Sequence, residues 1–199
     1  MRLRIHAVLF MTALAAVTAA GQEIALQITP AATTVEFTLG DVFHTVHGNF
    51  QVKRGVIRFD PATGKASGEV VVDAASGDSG SAALDRRMHT NILESDRYPE
   101  MVFTPDRVEG QVAPRGASRV QVHGTFRIHG ADHALVWPVT VRMNDSQVIA
   151  EVEFEVPYVK WGMKNPSTLI LRVSDKVAIH IHAVAHIAPP PTVPAATGS

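Results

Sequence analysis

The chain of 199 residues contains no cysteine, few aromatic residues (6%) and a formal net charge of only −1. Without cysteine it cannot form a disulfide scaffold, a thiolate zinc site, an iron–sulfur cluster or a cysteine nucleophile. The near-neutral charge predicts no basic patch, so we expect no nucleic-acid partner. No Gly-rich phosphate loop precedes a helix, and no motif points to a cofactor.

The two ends of the chain differ from its middle. Residues 1–20 begin with Arg2 and Arg4, continue with an apolar run at 7–17, and end on small residues. This order predicts a secretory signal peptide at 1–20, and therefore a periplasmic or secreted protein; an uncleaved anchor or a buried strand is the alternative. The run is shorter than the about 20 residues that span a bilayer. Residues 188–199 predict a disordered, proline-rich tail, which leaves 21–187 as one folded domain.

Apolar residues make up 46% of the chain, and in the middle they alternate with polar ones. A period of two predicts strands with one buried and one wetter face. The clearest runs are 34–39, 120–128, 135–142, 148–156 and 177–185. Turn signals at 60–64, 113–116 and 144–145 indicate antiparallel hairpins.

Residues 79–93 break this alternation. Leu84, Met88 and Ile92 recur there at helical spacing, which predicts a short helix or an irregular crossover.

Eight to ten strands that share one apolar face must bury that face, because apolar surface left in water costs about 25 cal/mol per Å². We therefore predict an all-β fold, a closed antiparallel barrel, which also removes exposed sheet edges. A β-sandwich remains the alternative, because periodicity does not separate the two.

The order of several short motifs resembles the YceI-like, polyisoprenoid-binding family of the bacterial periplasm. The matching stretches are TVEFTL at 34–39, VHGNF at 46–50, GVIRFD at 55–60, GEVVVD at 68–73, LDRRMH at 84–89, YPEMVF at 98–103, VHGTFRIHG at 122–130 and the closing run at 177–185. The segment 156–166 departs from the family pattern, which suggests a divergent subgroup.

This resemblance implies a lipocalin-like, extended antiparallel β-barrel of about eight strands with one short helical crossover. Its lumen would hold a polyisoprenoid or another long-chain lipid, so the resemblance implies an exported lipid-binding protein and not an enzyme. Transient membrane contact and a homodimer stay open as further partners.

Large residues on the apolar faces are the ligand-binding candidates. Each of them could instead simply fill the barrel. They are Phe37, Phe50, Phe59, Phe103, Phe126, Trp137 and Phe154, with Tyr158 and Trp161 near the expected mouth.

Other chemistries find weaker support. His180, His182 and His186 share one strand face and would need a further ligand to hold a metal, so we predict no metal site.

Residues 77–80 have the sequence Gly-Asp-Ser-Gly, which resembles the surroundings of a serine-protease nucleophile. No upstream barrel can supply the protease histidine, so we predict no catalytic residue. An isomerase or cyclase on a lipophilic substrate would require an inward ionisable group. Asp85, Arg86 and Arg87 are expected to pin the crossover to the barrel by ion pairing; an arginine that meets a phosphate headgroup is the alternative.

Overall fold

The structure is a computed structural model that describes residues 23–40, 45–167 and 172–188. Within these ranges the chain forms ten strands and one α-helix, α1 (Ala82–Arg87). The strands are β1 (Ile24–Ile28), β2 (Thr34–Gly40), β3 (Thr45–Phe50), β4 (Val52–Phe59), β5 (Ala66–Asp73), β6 (Glu100–Glu109), β7 (Gly116–Ile128), β8 (Ala131–Met143), β9 (Gln147–Val156) and β10 (Val177–Ile187). The predicted signal peptide at 1–20 and residues 189–199 of the predicted tail lie outside the described residues.

The strands close into one antiparallel barrel. Hydrogen bonds join β1, β4, β5, β6, β7, β8, β9 and β10 in that order, and β10 pairs back with β1. β2 pairs with β10 alongside β1, and β3 pairs with β2. Thus β1 with β2, and β3 with β4, each occupy one of eight positions around the barrel. The predicted fold is confirmed, and the β-sandwich alternative is wrong.

The strand position shared by β1 and β2 is interrupted by a single turn of 3₁₀ helix, Pro30–Ala32. Proline has no N–H to donate to a ladder, so a strand cannot run through it undisturbed. The side-chain hydroxyl of Thr33 donates to the carbonyl of Thr29, and it accepts from the backbone N–H of Val184 on β10. These bonds keep the interrupted position attached to its neighbour.

Alternation along each strand directs the apolar side chains inward, as period two requires. On β2, Val35 and Phe37 are buried whereas Thr34 and Glu36 are exposed. The register then brings inward residues of neighbouring strands together: Phe37 lies beside Ile179, and Ile179 beside Phe154. The core is therefore the inside of the barrel.

The turn between β7 and β8 consists of only two residues. His129 and Gly130 have φ values of 51° and 75°, and Ile128 pairs with Ala131 on either side of them. Two successive left-handed residues form the type I′ turn that matches the twist of a hairpin. The sequence signal for this turn is the glycine at its second position, Gly130.

The crossover between β5 and β6 contains α1, followed by a π-helical turn, Met88–Ile92. The short helix and irregular crossover predicted from the spacing of Leu84, Met88 and Ile92 are present, and all three residues lie toward the barrel interior. No helix within 23–40, 45–167 and 172–188 has the length and apolarity to cross a bilayer.

The strands β8 and β9 are joined along only part of their length. Their ladder runs from Val139↔Val152 to Met143↔Val148, and residues 131–138 of β8 pair with β7 alone. The ladder ends beside Pro138, which cannot donate a hydrogen bond and belongs at a sheet edge. The sequence signal for this parting is a proline within an otherwise strand-like run.

Candidate ligand-binding cavity

A cavity of about 400 Å³ occupies the barrel interior. Its volume falls within the range of small-molecule sites. Apart from the Trp137 indole, the polar side chains among its described lining residues are Thr33, Ser79, Arg87 and Tyr158. Such a lining removes apolar surface from water and offers little to a polar substrate.

Eight of the nine predicted ligand-binding residues line this cavity. They are Phe37, Phe50, Phe59, Phe103, Phe126, Trp137, Phe154 and Tyr158. The ninth, Trp161, packs at the margin of the core and is not among the lining residues. Which of them contact a ligand stays a prediction.

One wall of the cavity is built from stacked aromatic rings. The Trp137 ring lies between Phe103 and Phe154, with centroid distances of 4.4 and 4.2 Å and interplanar angles of 28° in both pairs. Phe103 and Trp137 come from β6 and β8, so their rings meet across β7. Gly124 on β7 permits this contact, because a Cβ there would lie 2.8 Å from the Phe103 ring.

Trp161 reaches across the parting between β8 and β9. Its ring stacks on His133 of β8 at 3.9 Å with an interplanar angle of 10°, and it lies 6.2 Å from the Phe126 ring. The Trp161–His133 stack therefore lies where backbone hydrogen bonds between β8 and β9 are absent. Burial lowers the pKa of His133, against a smaller opposing effect of Asp132, so the neutral imidazole is favoured.

The cavity reaches solvent beside α1. Leu84 and Arg87, both on this helix, are the exposed members among the described lining residues. Leu84 retains 44% of its surface exposed. The Arg87 guanidinium donates to the carbonyl oxygen of Pro166 at 2.8 Å, which joins α1 to the segment after β9. Arg87 is also the single charged side chain among the described lining residues.

Among the described residues, hydrogen bonds and not the expected ion pairs of Asp85, Arg86 and Arg87 hold the crossover in place beneath this mouth. The Asp85 carboxylate accepts from the backbone N–H of Ser79 at 2.8 Å and from its hydroxyl at 2.6 Å. These bonds, with a smaller contribution from His89, lower the pKa of Asp85. The His89 ring lies 2.9 Å from the Gly77 carbonyl oxygen and 3.1 Å from the Ser95 hydroxyl. The Ser79 hydroxyl therefore serves a structural bond to a carboxylate.

Tyr158 anchors the connection from β9 to β10. Its hydroxyl donates to the carbonyl oxygen of Ser174 at 2.7 Å. Burial, with a smaller contribution from Asp175, raises the pKa of Tyr158 to about 12. The phenol therefore stays protonated at neutral pH and keeps its role as a donor.

The histidines of β10 lie on the outer face of the barrel. His182 Nδ1 is 2.7 Å from a Glu151 carboxylate oxygen, and His180 lies between Glu36 and Glu151 at 3.4 and 3.5 Å. Among the described residues, no group of three or more His, Asp or Glu side chains is arranged to hold a metal ion. These histidines link neighbouring strands β2, β9 and β10.

A family model described as a YceI-like domain matches residues 26–185. The chain is also similar to a polyisoprenoid binding domain from Saccharophagus degradans, with 14% identity and a TM-score of 0.66 over 83% of this chain and 99% of that one. Burkholderia cenocepacia BcnA shows 20% identity and a TM-score of 0.65 over 79% and 98% of the two chains. The Campylobacter jejuni YceI protein shows 20% and 0.59 over 74% and 88%. No protein with a curated function matches.

Proposed function

The chain belongs to the YceI-like family, and from this premise we propose that it binds a long apolar lipid of the isoprenoid type inside its barrel. The observation that carries the proposal is the closed barrel around a cavity of about 400 Å³ with an almost wholly apolar lining. A solved structure similar to this chain is that of a polyisoprenoid binding domain.

Burial of the lipid chain would supply most of the affinity. Each buried CH₂ group contributes about 0.8 kcal/mol, less the cost of ordering the ligand. The polar end of the lipid would lie at the mouth beside α1, where Arg87 and solvent are close. No buried charge on the ligand is then needed.

We propose binding without catalysis. The hydroxyls of Ser79 and Tyr158 already donate to protein acceptors, Asp85 and the Ser174 carbonyl. A general acid–base pair needs two groups within reach of the same substrate atom, and the described lining residues offer the lone cation Arg87. The His133 imidazole is stacked against Trp161, and no histidine is among the described lining residues.

We further propose that the protein acts outside the cytoplasm. Support comes from the sequence alone: a basic start, an eleven-residue apolar run and small residues before Gly21. Sequencing the N-terminus of protein recovered from the periplasm or the culture medium tests this directly. A mature chain that still begins at Met1 would refute it.

The decisive test of the lumen is solvent extraction of the purified protein followed by mass spectrometry. We expect an apolar chain lipid from the wild type and a large reduction in Ala183→Phe, since Ala183 lines the cavity. The matched control is Ala178→Phe on the same strand, whose side chain is exposed on the outer face. Lipid-free wild-type protein, or a folded Ala183→Phe variant that retains the wild-type lipid content, would contradict the proposal.

A further inference from the structure

The end of the barrel opposite α1 carries the connections 60–65, 110–115 and 144–146. The described lining residues at this end are apolar, and none of them is exposed. We call them the floor; they are Phe59, Ala66, Val108, Val112, Met143 and Val148. The exposed lining residues, Leu84 and Arg87, lie at the other end on α1. The described lining residues therefore form a mouth at one end of the lumen and an apolar floor at the other.

Val112 differs from the rest of the floor because it lies in a connection and not in a strand. It nevertheless lines the cavity and packs against the buried cluster that contains Val120. Gly110 precedes it with a φ of 111°, a conformation that favours glycine. The backbone N–H of Ala113 donates to the Ser118 hydroxyl at 2.9 Å. These features hold the connection folded against β7, with Val112 at the bottom of the lumen.

The floor offers no hydrogen-bonding side chain to a ligand. Thr33 is the polar lining residue on this half of the barrel, and its hydroxyl is already bonded to the Thr29 carbonyl and the Val184 N–H. A hydroxyl group brought to the floor would lose its bonds to water without replacement, which reduces affinity roughly tenfold to a hundredfold. A terminal methyl group would instead gain by leaving water.

We propose that the lumen selects its lipid by the end that enters first: a single chain with an apolar terminus, whose length is limited by Val112. The polar end stays at the mouth, and carbons beyond the limit remain in water and add no affinity. This inference rests on the proposed lipid binding. It adds the chemistry of the buried terminus and a residue that determines specificity.

Competition binding with saturated fatty acids, lengthened one carbon at a time, tests the limit. Each acid displaces a fluorescent single-chain lipid from protein that has been freed of bound lipid. Every added carbon that is buried should raise the affinity roughly fourfold. At the chain length that reaches Val112 this rise should stop, and longer acids should bind no more tightly. We call that chain length the break.

Two substitutions of Val112 should move the break in opposite directions. Val112→Phe fills space at the floor and should move the break to a chain shorter by about two to four carbons, because packed interiors leave little spare room. Val112→Ala should move it to a chain longer by about one or two carbons for the same reason. The matched controls are Val136→Phe and Val136→Ala, since Val136 is 53% exposed and is not a lining residue. Their break should coincide with that of the wild type.

The outcomes separate this inference from the proposed function. An affinity that rises without a break, or a break at one chain length in the wild type and both Val112 variants, would overturn the limit and leave lipid binding in the lumen standing. Failure of every acid to displace the fluorescent lipid would refute lumen binding itself, and the inference with it.

A second pair of probes tests the apolar terminus. At the chain length of the break, an acid with a terminal hydroxyl should bind the wild type about tenfold to a hundredfold more weakly than the acid with a terminal methyl. The control probe is the acid of equal length with its hydroxyl beside the carboxylate. It should bind much as the unmodified acid does, because that hydroxyl stays in water at the mouth. Equal binding of the acids with terminal hydroxyl and terminal methyl would overturn the proposal.

Discussion

Replacing Trp137 by alanine tests whether the alternation along β8 directs side chains as the structure indicates. Trp137 is 7% exposed and lies between two stacked rings, whereas its neighbour Val136 is 53% exposed on the other face. A one-residue shift of register would exchange the two positions. Comparing Trp137→Ala with Val136→Ala therefore tests the register of β8.

The expected cost follows from burial and stacking. Large aromatic residues truncated to alanine in a core cost about 3–5 kcal/mol, and each aromatic stack contributes about 0.5–1.5 kcal/mol within that loss. For a domain of this size about 1 kcal/mol corresponds to 2–4 °C, so Trp137→Ala should lower Tm by roughly 6–20 °C. Val136→Ala should change stability by no more than about 0.5 kcal/mol.

Thermal and denaturant unfolding, followed by far-ultraviolet circular dichroism, measures both variants. The proteins should be freed of lipid first, since a ligand that binds only the folded state raises apparent stability. A loss below about 1 kcal/mol in Trp137→Ala, or an equal loss in Val136→Ala, would refute the assignment of the inner face.

Three further predictions concern packing and pH. Gly124→Ala should destabilise by about 1–3 kcal/mol through overpacking, because its Cβ would lie 2.5 Å from the Thr104 carbonyl oxygen; denaturant unfolding measures this. The Asp85 carboxyl has a lowered pKa. Its contribution to the free energy of unfolding is therefore present above its unfolded pKa of about 3.9 and is lost as pH falls through the folded value. The stability difference between wild type and Asp85→Asn should therefore shrink in acid. The His133 imidazole also has a lowered pKa, so the unfolded state binds a proton more readily than the folded state. The free energy of unfolding should therefore fall as pH drops below about 6.5. His133→Phe should remove this part of the pH dependence and preserve the stack on Trp161.

Each of these three has an outcome that would contradict it. A fully stable Gly124→Ala protein would mean that β6 and β7 do not approach as closely as described. A constant difference between wild type and Asp85→Asn across the acid range would remove the role assigned to the carboxylate. An unchanged pH profile in His133→Phe would show that this imidazole does not titrate with unfolding.

Much of the barrel could be predicted from the chain because its signals are local. Alternation at 34–39 and 177–185 assigns an inner face to each strand, whatever the neighbouring strand is. The same parity placed Phe37, Phe126 and Trp137 toward the lumen, where all three line the cavity. The loss of alternation at 79–93 located the crossover for the same reason.

Other features depend on which strands become neighbours. Trp161 was expected at the mouth, yet it stacks on His133, twenty-eight residues earlier in the chain. That contact exists because β8 and β9 part at Pro138, a consequence of pairing that no single strand pattern contains. The stack of Trp137 on Phe103 likewise requires β6 and β8 to flank Gly124.

The pattern of apolar and polar residues was enough to establish strands, their inner faces and an apolar interior, because each of these depends on residues a few positions apart. Assembly alone decided the closed order of strands, the parting of β8 and β9 and the position of the mouth beside α1. Access to the interior is a property of the assembled surface, and the mouth is formed by segments more than seventy residues apart in the chain.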